Sequence, residues 1–394
     1  MLALLADSAI VCDVILTLFW GFPRVKLIYH LLVGVWIMLR MQCMLLLSAG
    51  DRLRELLDCI RCKLYCCRAM VALSSPHTIL HFKIGYFMNI RNWISGFAGF
   101  LSAVLLSCIG YAADTVSLSQ SNDSVAVTLN GKEFTTYRFA KSQPKPYFFP
   151  IKSGDNAMLT RPIVGADYKG DHPHHKGIWV SVDEINEIKF WAEKGKIENR
   201  GVELLVPEGN PAKLRVTNHW LDSKGGDVLI ETTTISIFAN RMLAYDISFK
   251  MVADEVNFKD TKEGLLGFRV AESQREDKGD GKVSNADGKK GTKECWGQRS
   301  AWVDYTGSVD NKPYGVTIFD HPGNFRPSRY HVRDYGLFSI SPFGESAYSN
   351  GREPAVNDVF KKQSELRLRY AIYFHNGFVT PADLNALAKT FTSL

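Results

Sequence analysis

The chain has 394 residues, 46% hydrophobic and 22% charged, with 47 basic and 41 acidic side chains. The basic excess is local: residues 1–112 hold ten Lys/Arg against five Asp/Glu, leaving 37 against 36 in residues 113–394. A body so close to neutral excludes a nucleic-acid binder, whose affinity rests on phosphate contacts from a basic surface.

Residues 1–87 are rich in Leu, Cys, Met and Arg, and the apolar run around Leu27–Leu39 is cut by His30 and stopped by Arg40. The expectation here is an over-extended start, with Met88 the true first residue; the rival reading is a membrane-anchoring extension. Cys59-x-x-Cys62 with Cys66 and Cys67 has no second ligand pair at zinc-finger spacing and no βαβ pattern around it, so it is not read as a metal site. Residues 88–112 read as a secretory signal peptide. Arg91 supplies the charged start, Ile94–Leu106 an apolar stretch of 13 residues, and Gly110 and Ala112 the small residues before a cut at Ala113. That stretch is too short to span a ~30 Å hydrocarbon core as an ordinary helix. The expected location is therefore periplasmic or secreted. Leu105-Leu106-Ser107-Cys108 also offers a lipid anchor at Cys108, ranked behind soluble export because Leu106 fits a lipobox poorly.

After residue 113 the texture becomes that of strands. Asp123–Phe139 alternates, turns at Asn130-Gly131 and returns, as a tight hairpin does. Further short runs rich in β-branched and aromatic residues follow: GIWVSV, AKLRVTNHWL, DVLIETTTISIF, MLAYDISFKMV, LLGFRVAE, YGVTIFD, YGLFSIS and ELRLRYAIYFH. Polar, Gly-rich Asp277–Gly291 is expected to be a long loop or flap, and Ala382–Thr390 a C-terminal helix after Pro381. Many strands without alternating helices predict an all-β antiparallel sandwich, one large domain over residues 113–394. Only Cys295 of the eight cysteines falls in that domain, so it has no internal disulfide and its core must hold it together.

Chemistry-bearing residues concentrate in four places. DHPHHKGIWV, Asp171–Val180, holds three of the seven histidines beyond residue 113. If extended, it points His172 and His174 one way and His175 the other. His-x-His on a strand suits a metal, or a sugar or carboxylate with one imidazole as acid or base. DTKEG, Asp260–Gly264, sets Lys262 and Glu263 beside a glycine turn. Glu294–Tyr305 carries Arg299 and two tryptophans, with Cys295 read as structural for want of a local base. Phe319–Gly344 repeats Asp-His-Pro at Asp320-His321-Pro322 and crowds Asn324, Arg326, Arg329, His331, Arg333, Asp334 and Tyr335 into one stretch. Guanidinium forks grip carboxylates or hydroxyls, and tyrosine faces stack on sugar rings.

Taken together, DHPHHKGIW, DTKEG, WGQRSAWVDYTG and FDHPGNFRPSRYHVRDYGLFSISPFG resemble a family of exported bacterial proteins labelled methane oxygenase PmoA and otherwise uncharacterised. The resemblance covers about Tyr147 to Phe378, with Lys176 where many members carry arginine. It implies an exported, β-rich protein like the carbohydrate-associated sandwiches of the mutarotase-like supersandwich type. The body itself has no run of about 20 apolar residues to span a bilayer.

The leading expectation is a sandwich acting on a small-molecule or glycan ligand, a sugar or sugar derivative. His172, His174, His321 and His331 would supply acid/base chemistry with Glu263 or Asp334. Asp171, His175, Lys262, Arg299, Asp320, Asn324, Arg326, Arg329, Arg333 and Tyr335 would hold substrate. The alternatives are a divalent-metal enzyme using His172, His174 and His321, and a non-catalytic glycan-binding module.

Overall fold

The computed structural model describes residues 114–165 and 170–394. The start-site reading, the signal peptide at 88–112, the cysteines at 59–67 and the anchor at Cys108 lie outside these residues. Among them no helix is long and apolar enough to cross a membrane.

Two large antiparallel sheets pack face to face. A nine-stranded sheet runs, in spatial order, Arg329–Val332, Leu337–Ser341, Leu266–Arg269, Ile178–Val180, Tyr147–Ile151, Lys132–Arg138, Ser124–Leu129, Val116–Gln120 and Glu208–Gly209. An eight-stranded sheet runs Lys282–Asn285, Trp302–Val309, Lys312–Asp320, Glu365–Asn376, Met242–Met251, Asp227–Ile237, Ala212–Leu221 and Lys196–Val206. A small four-stranded sheet, built from Asp358–Lys361, Glu255–Phe258, Glu184–Ile185 and Ile188–Lys189, completes the all-β fold.

Alternation explains the sandwich. Along Glu365–Asn376, Leu366, Leu368 and Tyr370 are buried while Arg367 faces out to pair with Asp246. Rings from the two sheets meet in the interior: Phe268 lies 5.2 Å from Phe374, and Phe148 lies 6.5 Å from Tyr245. Such pairs add a directional preference to the burial of large apolar surface. The Asn130-Gly131 hairpin forms with both residues at positive φ, 51° and 74°.

The outer faces of the two sheets are covered differently. On the eight-stranded sheet, helix Pro381–Thr392 lays Leu384 and Phe391 over Met242, Trp302, Phe319 and Ala371. Thr380 caps that helix in a reciprocal box with Asp383. On the nine-stranded sheet, loops and aromatic side chains do the covering. Tyr147, Trp179, Trp191 and Leu337 form a separate apolar patch there, with Tyr335 at its edge.

One expected loop is more ordered than its composition suggests. Within Asp277–Gly291, Lys282–Asn285 is the edge strand of the eight-stranded sheet, pairing Trp302–Val309. The side chain of Asn285 organises the following turn by accepting from the Asp287 and Lys289 N–H groups. The segment is an edge hairpin, and the flap reading is corrected.

Candidate functional site

The outer face of the nine-stranded sheet carries an unusual row of residues. His331 is opposite Ser339, Ser339 opposite Gly267, and Gly267 opposite Trp179. Residues two apart on a strand share a face, so Arg269 lies on this side as well. Their neighbours Tyr330, Val332, Phe338, Ile340, Leu266 and Phe268 point into the core. Both faces of these strands are therefore buried, one apolar and one polar. Gly267 is required by packing: a Cβ there would sit 2.6 Å from the Trp179 ring and 2.9 Å from Trp191.

The first Asp-His-Pro segment lies against this face as a turn. His172 takes a left-handed φ of 45°, and the His175 N–H donates to the His172 carbonyl at 3.1 Å. The expected alternation of an extended chain is thus replaced by a different pairing. His172 and His175 stack at 4.6 Å and 5° between planes, and His174 stands edge-on to His175 at 4.7 Å. The stack continues to Tyr335 beyond His172 (5.0 Å) and to Trp179 beyond His175 (5.3 Å). Four rings therefore lie nearly parallel, Tyr335, His172, His175 and Trp179.

Two buried arginines pin this turn. The Arg161 guanidinium donates to Asp171 Oδ1 at 2.7 Å and to the Asp171 and His172 carbonyls at 2.9 and 2.6 Å. Arg269 Nη2 reaches both Asp171 carboxylate oxygens, at 3.0 and 2.8 Å, and the Arg269 guanidinium lies 5.1 Å from the Tyr335 ring. Asp171 is held below its ordinary pKa: burial pushes the carboxyl up, and the bonds and charge of Arg269 and Arg161 outweigh it. On the other side, Lys145 Nζ donates to the His174 carbonyl at 2.9 Å and to Glu193 at 2.7 Å. Burial lowers Lys145 to about 8, against the pull of Glu193.

The histidines of this face are neutral. Burial lowers His172, takes His174 to about 4 and drops His175 well below the usual range. His331 is 2% exposed and is lowered to about 3 by burial. Its Nδ1 lies 2.7 Å from the Lys262 carbonyl. A carbonyl only accepts, so Nδ1 carries the proton and Nε2 holds the lone pair. Trp296 and Tyr348 stand edge-on to that ring, at 6.2 and 5.9 Å.

Two carboxylates complete the site. Glu263 and Asp183 are half-buried neighbours, joined by the Asp183 N–H to the Glu263 carbonyl at 2.9 Å. Burial raises both, and the charge of Asp183 raises Glu263 further. Burial raises Tyr335 and Tyr348, and the nearby Glu263 charge raises both further. On this face, His172 Nδ1, His175 Nε2, Trp179 Nε1, Ser181 Oγ and Ser339 Oγ are buried without a hydrogen-bond partner among the described residues. Native interiors leave few such atoms, and each calls for an explanation.

The second Asp-His-Pro segment does not join the first. His321 follows a strand of the eight-stranded sheet and packs edge-on to Phe391 at 5.3 Å, its Nδ1 accepting from the Gly323 N–H. The three-imidazole metal set of His172, His174 and His321 is therefore not assembled, and among the described residues no His/Cys/Asp/Glu group is placed to hold a metal. The cause is topological: the segment enters from one sheet and leaves for the other.

Most polar groups of that second segment are engaged within the protein. Asp320 accepts from Asn324, from the Ser328 N–H and from the Ser328 hydroxyl. Asn324 also bridges to both backbone groups of Arg369. Arg326 pairs with Asp358 at 2.5 Å, and Arg299 and Arg329 share Glu345 and Glu353. Asp334 is exposed at a turn, where its carboxylate accepts from the Tyr335 N–H. Exposed Lys262 meets the site through its carbonyl, which holds His331. Arg333 lies 5.8 Å from the Tyr335 ring, near His172 and His331. The structure thus gathers His172, His174, His175, Asp171, Glu263, His331, Arg333 and Tyr335; Arg329 shares the face of His331, where it and Arg299 are committed to Glu345 and Glu353, and Asp320, His321, Asn324 and Arg326 lie elsewhere. Sequence reasoning missed Asp183, Arg161, Arg269 and Ser339. Asp183 stands alone after GIWVSV with no local pattern to mark it.

No curated protein matches the chain. Among solved structures, galactose 1-epimerase from Lactobacillus acidophilus NCFM is similar at 8% identity and a TM-score of 0.36, over 67% of this chain and 98% of that one. The GalM/aldose epimerase homologue from C. elegans is similar at 8% identity and a TM-score of 0.32, over 68% and 100%. Heparan sulfate lyase HepC from Pedobacter heparinus is similar at 10% identity and a TM-score of 0.34, over 74% of this chain and 41% of that one. Residues 124–389, which contain every group of the site just described, match a family of unknown function, DUF6807, and the chain belongs to that family.

Proposed function

We propose that the outer face of the nine-stranded sheet binds a sugar or sugar derivative and carries out acid/base chemistry on it. One observation carries the reading: polar atoms without partners among the described residues lie beside parallel aromatic rings and two half-buried carboxylates that form no ion pair among those residues. A sugar is a ring with an apolar face and a polar rim. It offers a stacking surface to half-buried Tyr335 and hydroxyls to the half-buried Glu263, Asp183 and Arg333.

The acid/base assignment follows from the environments. Glu263 has its pKa raised toward neutrality, the direction a general acid or base needs. His331 presents a lone pair at Nε2, and neutral His172 can donate or accept. Proton removal at one position and delivery at another serve isomerisation, elimination and hydrolysis alike. The rival, a non-catalytic glycan-binding module, uses the same face without turnover.

Saturation-transfer NMR with a panel of neutral and acidic monosaccharides tests the reading. Transfer to sugar ring protons, abolished by His331→Gln together with Glu263→Gln, is the expected result. Turnover of any sugar that binds should fall at least about 100-fold in Glu263→Gln alone while binding persists. Absence of transfer across the panel would remove the proposal, and turnover unchanged in Glu263→Gln would leave only the binding module.

A further inference from the structure

The arginines of the site fall into two groups. Arg161 and Arg269 are buried and joined to Asp171, so their forks are directed at the protein itself. In the neighbouring segment Arg326 pairs with Asp358, and Arg329 with Glu345 and Glu353. Arg333 differs. It is half-buried, and among the described residues no carboxylate lies within ion-pair distance of it. Its guanidinium lies 5.8 Å from the Tyr335 ring, and its positive charge is felt by both His172 and His331.

The Arg333 guanidinium, beside neutral His172 and His331, therefore keeps a fork that no carboxylate of the described residues occupies. Among the described residues Asp183, Glu263 and the adjacent Asp334 form no ion pair with it. The same face carries Ser339 Oγ and Trp179 Nε1, each buried and unpartnered. We infer that the ligand of this face is an anionic sugar, carrying a carboxylate or a sulfate ester, and that Arg333 grips its oxyanion. A planar fork matches two oxygens of either group, which a point charge does not. The inference rests on the sugar reading above and adds the charge of the substrate to it.

Isothermal titration of the 394-residue protein with galacturonate, glucuronate, glucose 6-sulfate, galactose and glucose tests it. The acidic sugars should bind at least about tenfold more tightly than the neutral ones, with affinity falling as salt rises. Comparison of the uronates with the sulfate decides which oxyanion is preferred. Arg333→Met should bring acidic and neutral sugars to the same affinity at an unchanged melting temperature. Arg333→Lys, which keeps the charge and loses the fork, should retain part of the preference and serves if the methionine variant does not fold. Equal affinity of the wild type for acidic and neutral sugars overturns this inference and leaves the sugar reading in place. So does an acidic preference that survives in folded Arg333→Met. No binding by any of the five overturns both.

Discussion

His331 shows how much of the chemistry is set at the level of single residues. In the sequence it is one of several polar residues in Arg329–Val332, with nothing to mark it above His321. In the structure it is sealed between Trp296 and Tyr348, with its tautomer fixed by the Lys262 carbonyl. Its pKa is depressed by burial to about 3 in the folded protein, against about 6.5 when unfolded. The unfolded chain therefore binds a proton that the folded chain does not, at every pH between those values. Stability from this residue is complete above pH 6.5 and is lost as pH falls, at about 1.4 kcal/mol per unit. Other groups titrate in the same window, so the difference between two proteins is the clean quantity. His331→Gln should flatten the slope of unfolding free energy against pH by about that amount between pH 6 and 4.5, measured by urea denaturation. An unaltered slope would show that the imidazole is charged or exposed in the folded state. The histidine cluster at 172–175 is visible in the sequence as a concentration of imidazoles, but its stacking is not. The stack depends on Arg161, ten residues upstream, and on Arg269, 98 residues downstream, pulling Asp171 and the turn carbonyls inward.

At the scale of elements, most strands of both sheets are legible, including GIWVSV, LLGFRVAE and YGLFSIS from the polar row, while Arg329–Val332 is not. AKLRVTNHWL coincides with Ala212–Leu221, and the Asn-Gly dipeptide marks its hairpin because only residues tolerant of positive φ suit that turn. Arg329–Val332 escapes notice because its outward positions are Arg and His, which read as a solvated loop. That face is covered by other chain segments, so the strand is buried on both sides with a polar one. The turn at Asp171–His175 is held by one carboxylate shared between two buried guanidinium groups. Asp171→Ala would remove the carboxylate that the two guanidinium groups share and should cost about 3 kcal/mol, read by chemical denaturation. It should also release the His172 stack and weaken any ligand of the face, whereas a loss below about 0.5 kcal/mol would mean that the turn is held by its backbone bonds instead.

For the whole molecule, the all-β antiparallel architecture follows from short alternating runs and the absence of intervening helices. Which loops meet does not follow, because that depends on strand order within the sheets. Two copies of Asp-His-Pro invite the idea of one shared site. The topology sends the first to the outer face of the nine-stranded sheet and the second to the eight-stranded sheet beside the C-terminal helix. His331, ten residues beyond the second copy, reaches the first because the chain changes sheets between Asp320 and Arg329. The central claim is that ligand binds on that one outer face. Its most direct test is a titration with galacturonate and galactose followed by side-chain NMR of the assigned histidine and tryptophan N–H groups. The account predicts shifts at Trp179 Nε1–H and at the His172 and His331 rings, with His321 unmoved and also His375, which pairs with Asp304 on the eight-stranded sheet. Shifts confined to His321 or His375, or ligand binding that leaves Trp179 and His331 unchanged, would contradict it.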